Sequence, residues 1–482
     1  MAADPHEIEA IVSAVLARLD VPAVSPRDRG SATARDAPSH GLFADLDAAV
    51  QAARRAHLAI RECSLADRRK WIDALREVGR REAKTVARMA VEETHLGRID
   101  DKILKNLLVA EKTPGTEDLT ASAFTGDDGL TLEELAPWGV IAAITPCTNP
   151  TETILCNGIG MLAAGNSVVF CPHPLARRVS AHMITAMNAA ITAAGGPTPV
   201  FCALSEPSIE MAQALMKHPG APLVVVTGGP DVVREAMRTG KRVIAAGPGN
   251  PPALVDDTAD LERAGRDVVL GASLDNNIIC SDEKEVIVLS SVADRLKASM
   301  AAEGGHEVVG PQIERLAALV LSPSESRGRD RREVRVNRDW IGQDAQRIAE
   351  AIGLRPSREI RLLFAEVDRD HPFVWTELLM PVLPVVRVRS FEDGMELALA
   401  AEKGCRHTAV MHGRDIERLS RMARRVDCSI FVKNAPSYAG LGMGGEGSTS
   451  FTIAGPTGEG MTSARHFARR RRCTLSGAFR IV

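Results

Sequence analysis

After Pro137 the chain becomes a succession of short apolar runs, GVIAAIT, NSVVFCPHP, PTPVFCALS, APLVVVTGG, KRVIAAGPG and PPALVDD, many of them closed by Gly or Pro. Apolar runs this short and this continuous are strands buried on both faces, a condition met by parallel sheets covered with helices. Between them lie stretches of helical texture such as ARRVSAHMITAMNAAITAAG and IEMAQALMKHPG. The alternation predicts a doubly wound α/β domain, and a second α/β stretch follows from about Leu261 to Cys428. Upstream, residues 46–109 are dense in Ala, Arg, Glu, Leu and Lys, which predicts long helices with no visible chemistry.

The ends read differently. Ile8, Ile11, Val12, Val15, Leu16 and Leu19 fall on one stripe at helical spacing, so residues 1–20 hold a short amphipathic helix. Residues 21–40, rich in Pro, Ser, Ala and charge without a period, have the composition of a flexible linker. Near the other end AGLGMGGEG is loop, the run 469–472 is a charged edge strand, and CTLSGAFRIV a terminal strand. The expected order is therefore helix 1–20, linker 21–40, a first α/β domain over 41–255, a second over 256–435, and a return segment over 436–482.

Charge and cysteine content remove several function classes. Lys plus Arg total 59 against 62 Asp plus Glu, and a net charge of −3 offers no broad positive field to a nucleic acid. No apolar run approaches the ~18 residues of a membrane span, and the start MAADPHEIEA is unlike a secretory signal, so a cytoplasmic protein is expected. Nine Cys without a C-x-x-C pair argue against a disulfide framework and a zinc site; no metal is expected, and one thiol is free to react.

Ligands of open α/β sheets bind beyond the carboxyl ends of strands, which directs attention to four turns. In ITPCTNPTET (144–153), Asn149 carries an amide suited to a developing oxyanion, although Asn at that place is more often a helix cap. In VTGGPDVVREAM, Gly228 and Gly229 precede a helix starting near Pro230 and Asp231, where backbone N–H groups can hold a pyrophosphate; the G-x-G-x-x-G pattern is missing. In SLDNNIIC, Cys280 follows a polar cluster, whereas Cys171 and Cys202 lie in or beside apolar strands. The loop AAGPGNPP (245–252) is glycine-spaced and carries no ionisable side chain.

These segments, with SVVFCPHP, VNRDWIG, GCRHTAVMH, VKNAPSYAGLGMGGEG and FTIAGPTGEGMTSARHFARRRRC, resemble the aldehyde dehydrogenase superfamily over nearly all of residues 41–482. The likeness is to its coenzyme-A-acylating branch from bacterial microcompartments, the propionaldehyde and acetaldehyde dehydrogenases. It implies a Rossmann-type cofactor domain, an α/β catalytic domain, and a small oligomerisation arm built from strands near 125–137 and the C-terminal strand. It implies Cys280 as nucleophile, Asn149 or its neighbour Thr148 in the oxyanion region, and His407 as an aid to thiol deprotonation or a substrate contact. The turns at Thr145 and Pro146, at Pro172 and His173, and at Gly228 and Gly229 are then expected along the cofactor, with Glu377 at the nicotinamide ribose.

Two departures from hydrolytic relatives follow from the same resemblance. Ala246 stands where they carry the water-activating Glu, and Cys171, Pro172 and His173 replace a segment that includes a Lys near the adenosine ribose. The implied reaction converts a short-chain aldehyde, coenzyme A and NAD to acyl-CoA and NADH, with NADP left open. Residues 1–20 resemble the encapsulation peptide that docks cargo onto microcompartment shell proteins, and a homodimer or homotetramer is expected. The competing readings are a hydrolytic dehydrogenase, opposed by Ala246, and an inactive shell-binding scaffold, opposed by Cys280, Asn149 and Glu377.

Overall fold

The computed structural model describes residues 41–322 and 334–481. The helix and linker expected over 1–40 lie outside them.

After the short strand Leu42–Phe43 come three helices, Leu46–Arg61, Leu65–Thr94 and Ile99–Lys112. The second starts at a reciprocal capping box in which the Ser64 hydroxyl accepts from the Asp67 N–H and Asp67 accepts from the Ser64 N–H. Its inward residues, among them Trp71, Leu75, Val78 and Val86, are fully buried against the first sheet's helices and belong to one continuous core.

That first sheet has six parallel strands in the spatial order Leu42–Phe43, Phe201–Leu204, Ser167–Pro172, Val140–Thr145, Leu223–Thr227, Arg242–Ala246. From Val140–Thr145 the chain winds outward one way through Ser167–Pro172, then crosses to Leu223–Thr227 on the other side. The crevice where the direction reverses lies outside Thr145 and Thr227, the place where open α/β sheets bind ligands. Every residue of Val140–Thr145 and Ser167–Pro172 is buried, which explains their continuous apolar sequence.

A second, seven-stranded parallel sheet runs Gly305–Glu307, Leu362–Glu366, Val382–Val388, Glu285–Leu289, Pro252–Val255, Thr408–His412, Ile430–Lys433. The strand Pro252–Val255, placed above in the first domain, is hydrogen-bonded here between Glu285–Leu289 and Thr408–His412. The passage between sheets is therefore the glycine-spaced segment after Ala246.

A third, antiparallel sheet joins Ser122–Gly126, Gly129–Pro137 and Ala468–Ser476. The C-terminal strand begins at Ala468, five residues before the expected CTLSGAFRIV, because the arginine run itself forms its first half and pairs with the 133–137 stretch. Among the described residues, no helix is long and apolar enough to cross a membrane and no cluster of three or more His, Cys, Asp or Glu is arranged to hold a metal ion.

Candidate active site

The carboxyl ends of the first sheet and the amino ends of the second meet at a cavity of about 1010 Å³. The first sheet contributes Thr145, Pro146, Asn149, Pro172, His173, Gly228 and Gly229, and the second contributes Cys280 and Glu377. With Thr148, which also lines it, ten of the eleven site residues singled out in the sequence share one space. His407 does not line it. Its ring is buried behind Gly249, where a Cβ would stand 3.0 Å from His407 Cγ and 2.5 Å from the Cys280 carbonyl oxygen. Only a glycine lets the loop, the imidazole and the Cys280 backbone approach so closely.

His407 Nδ1 lies 2.9 Å from the Thr408 hydroxyl, and burial, aided by the Lys284 ammonium, pushes its pKa down to about 4. The ring is therefore neutral at physiological pH. Its Nε2 is buried with no partner among the described residues.

Cys280 is carried by a turn of unusual geometry. Asp275, Asn276 and Asn277 all take left-handed backbone angles, with φ of 47°, 56° and 61°. That conformation costs roughly 1–2 kcal/mol per residue for most side chains, and Asn and Asp tolerate it best. The D-N-N triplet of the sequence is the visible trace of this turn. The Asn276 amide donates to the Gly342 carbonyl (2.9 Å), and the Asn277 amide donates to the carbonyls of Ala272 (2.8 Å) and Glu283 (2.9 Å). Lys284 Nζ donates to Asn277 Oδ1 (2.6 Å) and to the carbonyls of Asn277 and Ile279. The thiol emerges half-buried. Burial first, then the Glu377 carboxylate, push its pKa up to about 12, against a smaller opposing pull from Lys284.

Asn149 occupies the N-cap position of the helix Pro150–Ala163, yet its side chain makes no capping bond. Its Oδ1 accepts from Lys105 Nζ at 2.5 Å, and its Nδ2 donates to the Thr148 hydroxyl at 3.3 Å. Lys105 and Lys102 both come from the helix Ile99–Lys112, in the region whose sequence shows no chemistry. They are fully buried. Lys105 meets Asp275 Oδ2 at 2.5 Å and Glu152 at 3.3 Å, while Lys102 bridges Asp275 Oδ2 and the Thr148 carbonyl, both at 2.9 Å. Burial pulls the Lys105 ammonium down, but the two carboxylates outweigh it and raise its pKa; Lys102 is lowered by burial despite Asp275.

The dinucleotide crevice fits such a ligand on three counts. Thr145 Oγ1 is buried, lines the cavity, and has no partner among the described residues. The helix Pro230–Met237 begins at Gly229 without a side-chain cap, so its first N–H groups remain available. A Cβ at Gly229 would enter open space, so the approach to those N–H groups is unobstructed. Ala246 ends its strand buried, and the segment after it brings Gly247 and Pro248 to the cavity but no ionisable group.

Comparison with known proteins agrees with this architecture. Residues 33–462 match the aldehyde dehydrogenase family. The chain is 51% identical over 478 residues to the acetylating acetaldehyde dehydrogenase EutE of Salmonella typhimurium, covering 99% of each. A Rhodopseudomonas palustris propionaldehyde dehydrogenase, solved with bound CoA and an acylated cysteine, superposes with a TM-score of 0.89 at 47% identity, covering 92% of this chain and 100% of that one. A propionaldehyde dehydrogenase from the Clostridium phytofermentans fucose utilisation bacterial microcompartment gives a TM-score of 0.88 at 46% identity, with 92% and 100% covered. Both parallel sheets and the cavity between them fall within the matched span, and the chain belongs to the aldehyde dehydrogenase family.

Proposed function

We propose that this chain is a CoA-acylating aldehyde dehydrogenase, converting a short-chain aldehyde such as acetaldehyde or propionaldehyde to its acyl-CoA through a thioester on Cys280. The observation that carries the reading is the composition of the cavity wall. A free thiol and an amide stand at one end, a dinucleotide crevice at the other, and the segment 245–250 contributes no ionisable side chain. The relatives named above, acetylating in one case and CoA-bound with an acylated cysteine in another, support the same chemistry.

A nicotinamide dinucleotide, when bound along Thr145, Gly228 and Gly229, supplies the hydride acceptor. Cys280 attacks the aldehyde carbonyl as its thiolate, its proton passing to solvent in the cavity, and the alkoxide that forms takes a hydrogen bond from Asn149. Loss of hydride restores the carbonyl as a thioester. The acceptor is then chosen by acidity: water, with a pKa of about 15.7, needs a base to attack, whereas a thiol of about 8.5 is already a few per cent thiolate at neutral pH. With Ala246 in place of a base, the CoA thiolate adds to the thioester and Cys280 leaves as thiolate, which regenerates the site. His407 and Glu377, both against Gly249, flank the Cys280 backbone as neutral base and carboxylate.

The test is NADH formation from NAD and propionaldehyde with and without coenzyme A. Sustained turnover only with CoA is expected, and equal turnover without it overturns the assignment. We further place the enzyme inside a bacterial microcompartment, docked to a shell protein through residues 1–20, a reading supported by that segment's amphipathic pattern and by the microcompartment origin of a structural relative. NAD is the proposed dinucleotide, and self-association through the antiparallel sheet the proposed assembly.

A further inference from the structure

Two buried lysines sit outside the steps just derived, on a helix distant in sequence from both the nucleophile and the oxyanion turn. Taking charges out of water is expensive, and a buried ionic cluster is poor at stabilising a fold compared with apolar packing of the same volume. Its presence behind an active site asks what it positions. The cluster is charge-balanced: Lys102 and Lys105 face Asp275 and Glu152, and all four side chains are essentially inaccessible. Two of its members bond to the turn at 148–149: Lys102 to the Thr148 carbonyl, Lys105 to the Asn149 side chain. Asp275 in turn starts the left-handed turn that leads to Cys280, and its other oxygen accepts the Arg98 N–H at 2.6 Å.

An asparagine amide presents an acceptor at one end and two donors at the other, and only the donor end can stabilise an oxyanion. An ammonium has hydrogens and no lone pair. Whatever end of Asn149 faces Lys105 must therefore be the oxygen, and the nitrogen is forced to the opposite side, toward Thr148 and the cavity. We infer that Lys105 is a positioning residue that fixes the Asn149 amide with its N–H donors toward the cavity, while Asp275 holds Lys105 in register with the Cys280 turn. Lys105 does not line the cavity and acts through Asn149. The inference rests on Asn149 being the oxyanion donor.

The experiment is a double-mutant cycle on the rate of Cys280 acylation, read as the single-turnover NADH burst with propionaldehyde and saturating NAD. Asn149→Ala is expected to slow the burst by roughly 10²–10³-fold, the usual loss for an oxyanion donor. Lys105→Met is expected to slow it by roughly ten- to a hundredfold, with NAD affinity unchanged. The double variant should be no slower than Asn149→Ala within about threefold, because Lys105 has nothing left to orient.

Lys105→Met leaves Glu152 without its cation, so Lys105→Met combined with Glu152→Leu is the balanced companion, in which Asp275 keeps Lys102. It should show the same slow burst. If the lysine change slows the Asn149→Ala enzyme by the same factor as the wild type, Lys105 has a general structural role and the inference fails alone. It also fails alone if the lysine variants acylate at the wild-type rate while Asn149→Ala does not. If Asn149→Ala itself keeps the wild-type burst, the oxyanion assignment is what has failed, and this inference falls with it.

Discussion

At the scale of single residues, the unexpected property of Cys280 is its acidity. A thiol held near 12 is ionised to only about one part in 10⁵ at neutral pH, far from the few per cent of an ordinary cysteine. Burial is the larger cause and the Glu377 carboxylate the next, and both favour the neutral thiol over the thiolate. Glu377→Gln removes the negative charge and keeps the shape. It should lower the thiol pKa and accelerate modification of Cys280 by iodoacetamide at pH 8 severalfold, followed as mass added to the peptide containing residue 280. Unchanged or slower labelling means that the carboxylate does not act on the thiol. Cys280 was legible in the sequence because its neighbours are polar while Cys171 and Cys202 are embedded in apolar runs. Lys102 and Lys105 were not, since on a helix already rich in charge nothing marks a lysine as buried, and Asp275, the carboxylate Lys105 meets most closely, lies 170 residues away.

At the scale of elements, the segment running from Cys280 into the strand Glu285–Leu289 carries several carboxyls that are costly to bury. Asp282, Glu283 and Glu285 are inaccessible carboxyls around Lys284, and burial raises the pKa of all three. Glu283 is raised to about 7 from 4.5, while the Ser437 N–H donates to it at 2.9 Å. The folded state therefore binds this proton more tightly than the unfolded chain does. The associated stability is fully present below pH 4.5 and is lost as the pH rises through about 7. Glu283→Gln keeps an acceptor for Ser437 and cannot ionise. Its stability relative to wild type, from urea unfolding, should improve by roughly 3 kcal/mol between pH 4.5 and 8. A difference independent of pH shows that Glu283 titrates normally. Strand and helix order could be read from the apolar runs, because burial on both faces leaves a continuous pattern that local sequence displays. The membership of Pro252–Val255 in the second sheet could not, because a run of four buried residues says nothing about which sheet its backbone joins.

At the scale of the whole molecule, the three-stranded antiparallel sheet has both outer strands open to solvent among the described residues. Ser122–Gly126 is exposed at every position, and Ala468–Ser476 at all but its first. Both are outer strands of a three-stranded sheet, so each leaves a row of backbone N–H and C=O groups unpaired among the described residues. Phe124, Leu475 and Phe479 are exposed on or beside it. Arg470 and Arg472 both pair with Glu133 across the strands, at 3.0 and 3.3 Å, and exposed ion pairs of this kind contribute little stability. An open, partly apolar edge is a surface that another copy of the same chain can continue, and closed two-fold pairing covers one such edge on each copy without propagating. A chain ending at Phe467 retains the buried Phe467 ring and the bond from Asn166 to its carbonyl, so both parallel sheets and the active-site cavity remain complete. Light scattering coupled to size exclusion should show the full chain as a dimer or tetramer and the shortened chain at half that mass or less, with the fold preserved by circular dichroism. A shortened chain that keeps the full-length oligomeric state, or a full chain that is already monomeric, removes the antiparallel sheet from the assembly and leaves its exposed edge to be explained by a different partner.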